Sequence, residues 1–170
     1  MSTFEVKVRT LTSLLNHPNA DRLELAGIGG YLSVVQKGLH TVGDMIVYIP
    51  EDSQFTDLAI PEALGIHTYL TGKEKNRVKS MRLRGCLSQG IVVPWRVVAE
   101  VLERFKRIPP LENFYEGLDL TEKLGIVKYE PPIPIEMAGE ARPWPSWIKK
   151  YDVENIKRPE SLEAIKLIPE

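Results

Sequence analysis

Six of the twelve residues from 73 to 84 are basic: Lys73, Lys75, Arg77, Lys79, Arg82 and Arg84. Cations at this density can follow a phosphate backbone, because each phosphate they neutralise releases condensed counterions. The chain as a whole carries a formal charge of −1, so the run is a local patch in a balanced protein. It leads into Gly85-Cys86-Leu87-Ser88-Gln89-Gly90 and the apolar stretch Ile91-Val92-Val93. Beside the patch, Ser88 and Gln89 could offer hydrogen bonds to phosphate or to base edges. Each feature has a plainer account. Lys and Arg on a hairpin edge also discourage strand addition by other chains. Ser88-Gln89-Gly90 also suits a turn, with Gly90 permitting an awkward backbone angle. Charge and spacing leave these readings open.

Signatures of catalysis fail on inspection. Gly72-Lys73 suggests a phosphate loop, but position 67 is His and position 74 is Glu, so the glycine spacing and the hydroxyl are both missing. Gly27-Ile28-Gly29 lacks the third glycine of a dinucleotide fingerprint and precedes a strand instead of a helix. There is no Cys-x-x-Cys, no His-Glu-x-x-His, and no lysine in the Lys-x-Asp-Gly or Lys-x-His-Gly context of covalent nucleotidyl transfer. His17, His40 and His67 are solitary in sequence, and His17-Pro18-Asn19-Ala20-Asp21 reads as a turn in which Asp21 bonds nearby amides. The single cysteine, Cys86, excludes an internal disulfide framework and a multi-thiolate zinc site. No catalytic residue and no metal ligand is assigned.

The elements that must carry the basic run fall into two regimes. A length of 170 residues suits one domain with appendages, and 43% hydrophobic with 26% charged residues marks an ordinary globular protein. Up to residue 93 the chain reads as short strands. Phe4, Val6 and Val8 alternate with Glu5, Lys7 and Arg9, the period of a half-buried strand. Gly29-Gly30, between Leu23-Ile28 and Tyr31-Val35, predicts a tight hairpin. Gly43-Asp44 opens a strand from Met45 to Ile49 that Pro50 ends, residues 51–72 look irregular, and Arg77 to Leu83 and Leu87 to Val93 complete the set. After Pro94 the period becomes helical, with Val97, Val98, Val101, Leu102 and Phe105, until Pro109-Pro110. Asp119 with Glu122 resembles a capping box for a second short helix stopped near Gly125. Both helices are expected to cover an open barrel end.

Pro131, Pro132, Pro134, Pro143 and Pro145 then predict an extended linker. Trp144, Trp147, Tyr151 and Ile156 follow as an apolar set that needs a partner surface. The N-terminus has no apolar stretch of signal-peptide length and no segment approaches a membrane span, so a cytoplasmic location is expected.

Two resemblances meet in these residues. His17-Pro18-Asn19-Ala20-Asp21-Arg22-Leu23, Gly43-Asp44 and Ser88-Gln89-Gly90 resemble the tRNA-binding OB module of aminoacyl-tRNA synthetases and their accessory proteins. Arg82-Leu83-Arg84-Gly85 with Ser88-Gln89-Gly90, the stretch from Gly125 to Pro134, and Lys150 to Arg158 together resemble the Deinococcus-type ATP-dependent RNA ligases, over nearly the whole chain. In that family an OB domain precedes the nucleotidyltransferase domain, and a Tyr-Asp-x-Glu-Asn segment, here Tyr151 to Asn155, lies upstream of the lysine that takes AMP. The chain stops at Glu170, before such a lysine.

The expected architecture is mainly β: a five-stranded OB-type barrel over about residues 1–93, two short covering helices to residue 126, a Pro-rich linker over 127–147, and at 148–170 the start of a catalytic domain the chain lacks. The resemblance implies an RNA-binding module of an RNA ligase for nicked or structured RNA, working with a catalytic domain in cis or in trans. It implies no cofactor in this chain, with ATP and Mg used by a full-length ligase. The expected nucleic-acid contacts are Lys37, Arg77, Lys79, Arg82 and Arg84 to phosphates, with Ser88 and Gln89 as polar contacts. Tyr31 and Tyr48 either stack on bases or belong to the core. The alternatives are a stand-alone tRNA-binding module or synthetase appendage, and a protein-interaction domain in which the cations only protect an edge.

Overall fold

The computed structural model describes residues 4–108 and 113–132. The chain divides into two compact units, Phe4–Tyr129 and Met1–Thr3 with Glu130–Glu170, and nearly all described residues belong to the first. The expected linker beyond residue 132, the aromatic set from Trp144 to Ile156 and the proposed domain start at 148–170 lie outside the described residues.

Ten strands, two α-helices and one 3-10 turn (His67–Tyr69) are described: β1 (Lys7–Thr10), β2 (Ser13–Asn16), β3 (Leu23–Ile28), β4 (Tyr31–Gln36), β5 (Met45–Ile49), β6 (Ser53–Phe55), α1 (Ala59–Ala63), β7 (Met81–Leu83), β8 (Cys86–Ser88), β9 (Ile91–Pro94), α2 (Trp95–Arg104) and β10 (Ile126–Lys128). They pair as two three-stranded sheets, β1-β5-β9 and β2-β3-β4, and two hairpin-sized sheets, β6-β10 and β7-β8. β1 and β2 are halves of one bent path. Leu11 N–H still bonds Asp44 O on the β5 side, whereas Thr12 N–H bonds Gly27 O on β3, each at 2.9 Å. The β3–β4 hairpin turns on Gly29-Gly30 as expected, with φ of 54° and 99°, the two positive values a type I′ turn demands.

The sheets stay open instead of closing into the single five-stranded barrel expected. The reason is the seam between β4 and β8. Its backbone link is Gln89 N–H to Leu32 O at 2.8 Å, and the rest is carried by hydroxyls. Ser88 Oγ accepts Val34 N–H at 3.0 Å, and Ser33 Oγ donates to Gly90 O at 3.2 Å. A ladder would need those carbonyls and amides to face each other directly.

β5 shows where the core lies. Ile46 and Tyr48 join Leu11, Ala26, Ile28 and Val35 in a small cluster between the sheets. Val47 and Ile49, on the opposite face of the strand, join a larger cluster with Val8, Phe55, Ile60, Val98, Leu102, Leu120 and Leu124. α2 therefore covers the outer face of β1-β5-β9, not an open barrel end. Its apolar spacing turns Val98, Val101 and Leu102 inward.

The second expected helix is not where the capping pattern put it. Asp119 Oδ1 accepts Thr121 N–H at 2.9 Å, but the segment closes as a run of turns, with Leu124 N–H to Leu120 O and Ile126 N–H to Thr121 O at 2.9 Å. That local bonding buries Leu120 and Leu124 without a helix. The second helix is α1, inside the stretch read as irregular, where Asp57 Oδ1 accepts Ala59 N–H at 3.0 Å. Pairing also continues further than expected before the linker: Val127 and Lys128 face Gln54 and Ser53.

Candidate nucleic-acid interface

The fold divides the basic run into separate environments. Arg77 bridges to Gln54 beside β6, its guanidinium ion-pairs with Asp52 and lies 3.4 Å from the Tyr129 ring centroid, and its side chain is only 19% exposed. Stacking and pairing together hold it in the fold. Lys73 and Lys75 lie in an exposed loop, and Lys79 is exposed ahead of β7. Arg82 and Arg84 are exposed on the β7–β8 hairpin, where Arg82 faces Leu87 and Leu83 faces Cys86. The two-residue turn is Arg84-Gly85, with φ of 47° and 90°.

A second loop grips this hairpin. His17 is buried, its Nδ1 accepting Asn19 N–H at 3.1 Å. That acceptor role leaves the proton on Nε2, which lies 3.1 Å from Leu83 O and donates to it. Asn19 Nδ2 donates to Arg84 O at 2.9 Å. The same loop carries Arg22, whose carbonyl accepts Lys37 N–H at 2.9 Å, and Lys37 Nζ reaches Asn16 Oδ1 at 3.4 Å. The structure therefore ties Arg84, Arg22 and Lys37 to one loop. Sequence reasoning missed Arg22 as a cation and gave His17 and Asn19 only a turn. Their place inside the His17-to-Leu23 motif was the one available signal.

The polar contacts expected beside the patch have other work. Ser88 is buried, and its hydroxyl serves Val34 and Ser33. Gln89 is half-buried; its backbone N–H bonds Leu32 O, and its carbonyl accepts Tyr48 Oη–H at 3.3 Å. Gly90 has a φ of 67°, and a Cβ there would lie 2.5 Å from Ile49 O and 2.8 Å from the Tyr48 ring, so the position requires glycine. Tyr48 is a core residue at 6% exposure, stacked on the half-buried Tyr31 with centroids 5.4 Å apart.

Away from the interface, burial pushes the His40 imidazole below its usual value, against the opposing pull of Asp44 and Glu24, and its Nε2 has no hydrogen-bond partner. Among the described residues no group of three or more His, Cys, Asp or Glu side chains could hold a metal ion, and no helix is long and apolar enough to cross a membrane. What the surface offers is cations on a pinned hairpin and its gripping loop.

Comparison with known proteins bears on the fold. A family described as an OB-fold domain matches residues 5–95. Among solved structures, the Naegleria gruberi RNA ligase with PPi is 29% identical with a TM-score of 0.66, covering 92% of this chain and 44% of that one. A mutant of that ligase with AMP and Mn is 30% identical over 91% of this chain and 44% of its own, again with a TM-score of 0.66. No curated protein matches. The chain spans less than half the length of the ligase structures it resembles. With more than half of its residues inside the match, the chain belongs to the OB-fold domain family, and it is an OB module similar to part of an RNA ligase.

Proposed function

We propose that this chain is the RNA-binding OB module of an ATP-dependent RNA ligase, holding nicked or structured RNA for a nucleotidyltransferase domain in cis or in trans. The observation that carries the reading is similarity to RNA ligase structures through 91–92% of the chain. Similarity that runs so far past residue 95 favours a ligase over a lone tRNA-binding appendage. Residues up to the end of β10 at Lys128 are then the binding domain, the Pro-rich stretch to 147 is a linker, and 148–170 open the catalytic domain. ATP and Mg act on that domain. Lys37, Lys79, Arg82 and Arg84 track phosphates together with Arg22, and the Gln89 side chain supplies a polar contact. Ser88 and Arg77 serve the surface from within the fold.

The test is RNA affinity of the full chain, followed by fluorescence anisotropy across salt concentrations. Each neutralised phosphate adds about 0.7–0.9 to the log–log slope, so the double replacement Arg82→Ala and Arg84→Ala flattens it by roughly one to two units. Unchanged slope and affinity would return these cations to edge protection. Incubated with labelled ATP and a divalent metal, the chain is expected to form no covalent AMP adduct. A metal-dependent labelled band would place the chemistry in this polypeptide after all.

A further inference from the structure

The grip of the 17–22 loop on the β7–β8 turn goes beyond tying two loops together. Arg84 is neither Gly nor Asn, yet it sits at a φ of 47°, a region that costs an L side chain steric energy. A two-residue hairpin loop of this kind asks for positive φ at both of its positions, and an arginine meets that demand in the first one at a steric cost. Side chains from outside the hairpin reinforce it. Asn19 Nδ2 donates to Arg84 O, and His17 Nε2 donates to Leu83 O, so two adjacent carbonyls of the turn are fixed by side chains about 65 residues earlier in the chain. The two gripping residues are themselves locked together, because His17 Nδ1 accepts Asn19 N–H. A Cβ on Gly85 would lie 3.3 Å from Asn19 Nδ2, so the amide packs directly on the turn. Arg22, three residues after Asn19, brings a second cation on the same loop, and Lys37 is bonded to it through the backbone.

We infer that His17 and Asn19 are positioning residues for RNA: they hold the strained Arg84-Gly85 turn so that Arg84 joins Arg22 and Lys37 as one preformed cationic rim for the phosphate backbone. The inference rests on the RNA-binding reading above. Fixing the turn before RNA arrives removes an ordering cost that a free hairpin tip would meet on binding. Asn19 contributes through Arg84, not through a contact of its own with RNA.

A double-mutant cycle on the full chain tests this, with Asn19→Ala, Arg84→Ala and the double variant titrated against a single-stranded and a nicked duplex RNA at several salt concentrations. Asn19 is exposed, so its replacement leaves the core intact, and thermal melting checks this for each variant. Asn19→Ala is expected to weaken RNA binding about 2- to 10-fold and to lower the salt slope by up to about 0.9, as if one phosphate contact were lost. In the Arg84→Ala background the same replacement is expected to change neither quantity. His17→Gln, which keeps an amide donor toward Leu83 O, should reproduce the effect only weakly. Equal weakening by Asn19→Ala in both backgrounds would overturn the inference, since Asn19 would then act independently of Arg84. No effect in either background would overturn it as well. Unchanged binding in Arg84→Ala would end the inference and leave the functional reading to the other cations, whereas failure of the unaltered chain to bind either RNA would end the functional reading itself.

Discussion

The sheets β1-β5-β9 and β2-β3-β4 are made of similar short strands and are used in opposite ways. The first is buried on both faces. Ile46 and Tyr48 look toward the second sheet, while Val47 and Ile49 look toward the helix and turns that cover it. The second is buried on one face only. On its other face Leu15 lies opposite Leu25, and Leu25 opposite Val34, with Leu15 56% and Leu32 40% exposed. Stability is therefore concentrated on the covered sheet. The uncovered one, with the gripping loop at its end, is left to present a surface. A layer added outside an OB-type sheet gives this small protein a core that the space between its sheets could not supply alone.

The largest effect expected from this contrast is at Leu102, fully buried under the covered sheet. Leu102→Ala should cost about 2–5 kcal/mol in urea unfolding, while Leu15→Ala on the open face stays within about 0.5 kcal/mol. Similar losses at both sites would dissolve the distinction. Gly90→Ala comes next, at about 2 kcal/mol or more, because the new methyl meets Ile49 O and the Tyr48 ring at a positive φ. A stable, fully folded Gly90→Ala protein would mean that the chain does not approach β5 at Gly90 as described.

Ser88→Ala sharpens the comparison at the seam. It leaves the half-buried Val34 N–H without its acceptor and should cost about 1 kcal/mol, with no change in the salt slope of RNA binding. A lowered slope at full stability would make Ser88 a contact residue instead. The mildest effect concerns His40. Burial holds its folded pKa below the ordinary 6.5, so the unfolded chain takes up the proton more readily. Stability is then complete above about pH 6.5 and falls as the pH drops from there through the lowered folded value. His40→Gln should flatten the unfolding free energy across that range, and an unaltered pH profile would show that the buried ring contributes nothing to it.

What could be read in advance was local. Gly29-Gly30 announced its hairpin because both turn residues must take positive φ, and the spacing from Val97 to Phe105 announced α2 because ten residues suffice to show a period. α1 has five residues, too few for periodicity, and its start depends on a side chain from Asp57. The Asp119-Glu122 pattern misled because an aspartate that caps amides serves a closed turn as well as a helix. The basic run was visible as charge, but its division was not. Arg77 leaves the set through Asp52 and Tyr129, 25 and 52 positions away, and no rule of spacing connects them. The same holds for Asn19, which is a turn residue as its sequence suggests and whose amide also donates to Arg84 O, 65 positions away. Ser88 was misplaced for a related reason: a polar residue next to cations looks like surface, yet the fold needs its hydroxyl to join β4 to β8.

That seam has a consequence in time as well as in space. The amide of Val34 is protected by a rotatable hydroxyl, and that of Gln89 by a carbonyl at the end of an interrupted pairing. Amides inside β1-β5-β9 are expected to exchange with solvent only when the covered core comes apart. Those at the seam can exchange through a smaller opening that parts β4 from β8 and leaves the rest folded. Because β8 belongs to the hairpin that carries Arg82 and Arg84, such an opening is expected next to the charged tip, and a polyanion seated there should be felt first as a slowing of exchange at Val34 and Gln89.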